Sequence, residues 1–177
     1  MRARALACRR YGDAGLAQLT LVLLEQLGCE HAVCLRAEAM AGRRMRLRVA
    51  AVDGRAWPPM AESAEGAHDP TDGGICGATV FESREPLCLQ RAAADPRFHS
   101  SALDALHLNG PPVRNLLALP IPSPVAGEGP LGVLELLNAV GSWGFEPHEQ
   151  ADVAAVCSTI APLLHRAGSS RGLRPRE

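Results

Sequence analysis

Residues 129–138 read GPLGVLELLN, a short apolar run opened by Gly and Pro with one carboxylate, Glu135, at its centre. Leu and Val dominate it, turn residues bound it on both sides, and it is too short for a helix, so it reads as a core strand. Side chains alternate across a strand. Val133, Glu135 and Leu137 therefore share one face, and Leu134 and Leu136 the other. Both faces carry apolar residues, so both are buried, and a buried carboxylate needs a partner, a water-filled pocket or a ligand. Glu135 is the strongest functional signal in the sequence.

Working outward, PSPVAGEGP joins this strand to a preceding one, Val113–Ile121, as a hairpin. A last helix follows Pro147 and buries Val153, Val156, Cys157, Ile160 and Leu164, with Pro162 marking a kink or a frayed end. Upstream, Asp13 opens a helix carrying Leu16, Leu19, Leu23 and Leu27 at helical spacing, and Gly28 stops it. Two strands follow, His31–Ala37 and Arg44–Val52, joined near Gly42 as an antiparallel hairpin. Arg44, Arg46 and Arg48 fall on one face of the second, the pattern of a solvated sheet surface or of a face for an acidic partner.

Between the hairpin and the core strand lie two irregular stretches. Asp53–Asp72 holds Pro58, Pro59 and Pro70, and Leu103–Pro112 ends at Gly110-Pro-Pro. Loops of that length inside a domain are functional lids or insertions. Gly73-Gly-Ile-Cys-Gly77 opens a helix to about Ser83, Leu87–Leu89 is a brief strand, and Asp95–Phe98 begins a helical turn. Strands separated mainly by irregular connections predict an antiparallel sheet with helices on one side, an α+β fold. The domain spans 13–167, with a flexible lead-in at 1–12 and a disordered tail at 168–177.

Bulk properties exclude several classes. A net charge of −1 gives no field for nucleic acid or an anionic membrane. No apolar run approaches the roughly 20 residues of a membrane span, and no apolar stretch follows the N-terminal arginines as a signal peptide requires. All 18 cations are Arg. The 6 cysteines form no Cys-x-x-Cys pair and no zinc spacing, and the adjacent His68 and Asp69 are too few for a metal site. A reduced, cytoplasmic protein is expected.

The run GGICGATVFESREPLCLQRAAADPRF (73–98), followed by VRNLLALPIP (113–122) and GPLGVLELLN, resembles the GAF domain, especially the regulatory type in cyclic-nucleotide phosphodiesterases. The resemblance runs through most of 13–166. It implies an antiparallel sheet with terminal helices packed on one face, a loop-roofed pocket on the other, and dimerisation through those helices. It also implies contacts to a cyclic nucleotide, cGMP or cAMP, from Asp53, Ile75, Cys76, Asp104, Asn109, Val113 and Glu135. Within that pattern the glycine-rich helix start faces the phosphate or is a plain tight turn, and Glu135 faces the base or pairs with Arg114. The phosphodiesterase signature is matched at Asn138 and Phe145, whereas Ala139 stands for its Lys, Glu149-Gln150 for its Asp-Glu, and Val52 for a base-stacking Phe. Three functions follow: a non-catalytic sensing and dimerisation module needing no cofactor and acting on a separate effector; a structural pairing domain with an eroded pocket; or a cysteine-dependent reductase of free methionine sulfoxide. No phosphodiesterase catalytic domain is encoded.

Overall fold

The run at 129–138 forms the central strand β6 (Gly132–Ala139), buried at every position. The computed structural model describes residues 13–39, 45–56, 76–98, 112–139 and 144–169. Among these, β1 (Cys29–Ala39), β2 (Met45–Val52), β3 (Arg55–Ala56), β4 (Leu87–Leu89) and β5 (Leu116–Ile121) complete a sheet with β6. Its order is β3-β2-β1-β6-β5-β4, antiparallel throughout. The helices are α1 (Asp13–Leu27), α2 (Gly77–Ser83) and α3 (Pro147–Ser169), with a 3-10 turn at Ala92–Ala94.

Alternation along the strands divides the core into two layers. Ala32, Cys34, Leu117, Leu119, Leu134 and Leu136 meet the helical stripes Leu16–Leu19–Leu23 and Val153–Cys157–Ile160–Leu164 on one side. There α1 lies across β1 and β2, and α3 across β5. Val33, Leu35, Val49, Leu116, Val133 and Leu137 form the other layer with Cys76 and Val80 from around α2. The expected fold, with terminal helices packed on one face of an antiparallel sheet, is thus the observed one. Of the two stretches expected to roof the opposite face, 53–72 and 103–112, residues 57–72 and 103–111 lie outside the described ones.

The centre of the sheet is tightly closed. A Cβ added at Gly132 would run into the backbone carbonyl oxygen of Leu35 on β1. No other residue fits there without moving a strand.

Three local readings change. Asp53 does not begin a long irregular segment, because Asp53 and Gly54, both at positive φ, close a two-residue turn that pairs Val52 with Arg55. The arginine row is only partly a solvated face: Arg46 is exposed, whereas Arg48 is drawn inward. Arg48 donates to Asp13 at 2.7 Å and to Glu38 at 2.6 Å, and its side chain is only 12% exposed. Arg36 reaches Asp13 at 3.3 Å and Arg46 reaches Glu38 at 3.5 Å. Arg48, with Arg36 of β1, therefore faces the start of α1, whose first residue carries a compensating charge, while Arg46 pairs with Glu38; Arg44 lies outside the described residues. Finally, β5 begins at Leu116 rather than Val113. The backbone before it is held by side chains: Arg114 N–H donates to Asn138 Oδ1 at 2.7 Å, and Ala139 N–H donates to Asn115 Oδ1 at 2.8 Å. In α3, Pro162 sits on an exposed position within a helix that runs Pro147–Ser169.

Candidate functional site

Period-two alternation places Glu135 on the face away from α1 and α3, between Val33 of β1 and Ala118 of β5. It is 1% exposed. Its Oε1 accepts the Cys76 N–H at 3.0 Å, and the Gly77 N–H also bonds to the carboxylate. These amides open α2, which has no side-chain cap of its own at Cys76. A strand residue 59 positions away thus supplies the acceptor that a helix start ordinarily draws from its own N-cap. Gly77 allows the approach, since a Cβ there would run into the Leu35 side chain.

Burial pushes the Glu135 carboxyl up to about 7, against the opposing pull of the two amides. Arg114, the alternative partner in the sequence reading, pairs instead with Glu30 at 3.1 Å. Among the described residues no cation forms an ion pair with Glu135.

Cys76 ties this centre to the next stretch of chain. Its Sγ lies 3.6 Å from the Arg97 carbonyl oxygen, which accepts the S–H. Phe98 and Val113 pack in the same layer as Cys76. The described ends of both long segments, Cys76 after one and Phe98 and Val113 flanking the other, therefore converge on the Glu135 face.

Of the seven expected site residues, Cys76, Val113 and Glu135 come together. Asp53 is turned elsewhere: its carboxylate accepts the Ala32 N–H at 2.8 Å and lies 2.7 Å from His31 Nδ1, an interaction that raises the histidine pKa. Ile75, Asp104 and Asn109 lie outside the described residues, as do His68 and Asp69.

The structure adds a clasp that the sequence reading treated only as motif. Asn138, at φ +57° and fully buried, donates to Glu30 at 2.6 Å while accepting from Arg114, and its own N–H donates to the Asn115 carbonyl oxygen at 3.0 Å. The buried Asn in an apolar strand was the available signal, because such an amide must bond on both ends.

Among the described residues, the surroundings of the thiols disfavour the thiolate. Cys29, Cys76 and Cys157 are pushed up to about 12, chiefly by burial, with the Glu135 charge adding to Cys76; Cys34 and Cys88 are also raised. A reactive cysteine needs the opposite environment. Among the described residues the cysteines are free and no His, Cys, Asp and Glu cluster is suited to a metal ion. No helix among them is long and apolar enough to cross a membrane.

The family profile of the GAF domain matches residues 13–164. The chain belongs to the GAF family. Solved GAF folds overlay most of it. The GAF domain of a phosphoenolpyruvate-protein phosphotransferase from Coxiella burnetii has a TM-score of 0.67 at 18% identity, covering 97% of this chain and 94% of that one. A methyl-accepting chemotaxis protein fragment, residues 122–287, gives 0.67 at 17% identity over 96% and 99%. The free methionine-R-sulfoxide reductase of Neisseria meningitidis, solved with its substrate, gives 0.60 at 14% identity over 95% and 87%. At these identities the overlays establish the GAF fold. No curated protein sequence matches the chain. GAF domains are in general small-molecule sensing and regulatory modules, and some proteins of this fold are sulfoxide reductases.

Proposed function

We propose that this GAF domain is a non-catalytic cytoplasmic module that binds a small molecule on the Glu135 face and passes the change to α1 and α3, through which two copies or a separate effector engage. The observation that carries the reading is Glu135 itself, a carboxylate sealed in an apolar layer where the described ends of both long segments converge. A ligand held on that face would bias the core that α1 and α3 share from the other side of the sheet. The resemblance to phosphodiesterase regulatory domains makes cGMP and cAMP the first ligands to test. A purine edge offers N–H donors, and a carboxylate in a dry site accepts them strongly.

Thermal denaturation of the intact chain with cGMP or cAMP is the test. Ligand at 100 times its Kd stabilises by about 2.7 kcal/mol, and Glu135→Gln should remove most of the rise in Tm. If neither nucleotide raises Tm, the nucleotide assignment is wrong. The reductase reading has support from the Neisseria and Thermoplasma acidophilum neighbours, but the raised thiols weigh against it here.

A further inference from the structure

We propose that Glu135 is a proton-operated latch on α2: protonated, it leaves the helix start seated on the sheet, and ionised, it draws water into the layer and lifts the Cys76–Gly77 turn. The inference deepens the sensing reading, resting on it for the site that the latch would regulate, but the latch itself is read without any ligand.

The argument begins with what surrounds the carboxylate. Val33 and Leu35 of β1, Ala118 of β5 and Val80 of α2 make an apolar wall. β6 carries no other ionisable residue. Among the described residues, the titratable groups turned toward this layer from neighbouring elements are few. The Cys76 thiol is buried and raised. His31 on β1 is occupied by Asp53. Asp95 and Arg97 beyond Cys76 bond to each other at 2.7 Å. None of these places a positive charge against Glu135.

A carboxylate so enclosed is costly when ionised, because two amide dipoles replace only part of its lost hydration. Neutral, it loses far less hydration than the charged form, and its carbonyl oxygen still accepts the Cys76 N–H. The seated arrangement is therefore the one that protonation favours, and ionisation favours any arrangement that lets water in. The part that yields is the helix start rather than the strand. β6 is paired on both sides, whereas α2 is 7 residues long and Glu135 caps its start. The upward displacement of the acid to about 7 puts the transition in the neutral range.

Amide hydrogen exchange on the intact, ligand-free chain, corrected for the intrinsic pH dependence of exchange, reads the latch directly. Protection at Gly77 and Val80 should fall about tenfold between pH 6 and pH 8, as linkage to a group titrating near 7 requires. Amides of β6 should hold their protection, and in Glu135→Gln the α2 amides should show no such fall. A wild-type profile that is flat at α2, or an equal slope in the variant, overturns the latch. Carbon-detected NMR titration of the Glu135 carboxyl in the wild type gives a second readout independent of any variant. A midpoint near 7 supports the latch, and one near the ordinary 4.5 overturns it. Since no ligand is present, a latch that fails here leaves nucleotide binding to its own thermal test, and an inert response to nucleotides leaves the latch standing.

Discussion

A carboxylate in an apolar layer, with no cation paired to it among the described residues, makes stability depend on pH in a direction opposite to that of a salt-bridged acid. The folded value of Glu135, about 7, lies above the ordinary 4.5, so between those limits the folded state holds more protons than the unfolded chain. The stability this residue permits is complete below about pH 4.5 and declines as pH rises through 7, by ~3 kcal/mol in all. Urea unfolding at pH 5, 6, 7 and 8 should show that decline in the wild type and not in Glu135→Gln; parallel pH profiles for the two proteins would place the linkage elsewhere. Alternation along one strand made the position of Glu135 readable in the sequence. Its partners were not, because they are backbone amides 59 residues away, and backbone groups leave no mark in residue identity. Arg114 was a chemically sensible guess that the Glu30–Asn138 clasp pre-empts.

At the scale of elements, charge rather than apolar contact fixes the entry of α1. Asp13 holds both Arg36 and Arg48 from the first turn of the helix. Asp13→Ala should lower stability by on the order of 2 kcal/mol, short of the cost of breaking a fully buried pair because Glu38 still holds Arg48. Urea denaturation gives the figure, and exchange should quicken first in the opening turn of α1. A loss within a few tenths of a kcal/mol would mean that the network is merely decorative. The arginine spacing was plain in the sequence, but not which layer it faced. That depended on where α1 docks, a tertiary fact that periodicity does not contain. By contrast the Asp53-Gly54 turn was fully legible as an Asp-Gly hairpin and was overlooked because prolines and carboxylates downstream dominated the reading. Strands β1, β2, β5 and β6 were found to within a few residues because their apolar patterns are strong; the two-residue β3 has too little pattern to detect.

Over the whole molecule, a single sheet separates two apolar layers, and β1, β2, β5 and β6 each contribute to both. Truncation on either side should therefore move one cooperative transition. Leu23→Ala beneath α1 and Leu137→Ala beside Glu135, both fully buried, should each cost about 2–5 kcal/mol, with fluorescence and circular dichroism transitions remaining coincident. A separate early transition in the Leu137 variant would show that the two layers unfold independently. The order of the recurring motifs made the architecture legible from end to end, since it fixed the sequence of strands and helices without any knowledge of contacts. The surroundings of Glu135 were less legible, because they are single groups brought from distant segments.

The left-handed backbone at Asn138 has one more effect. Strict alternation after Leu137 would return Ala139 to the Glu135 side, yet Ala139 packs in the opposite layer with α1 and α3. The chirality adopted at one α-carbon thus diverts the chain across the plane of the sheet just before its final helix, and the amide that tolerates this conformation also bolts it in place. The helical layer and the Glu135 layer lie on opposite sides of one sheet, and a single asparagine sets where the chain changes sides.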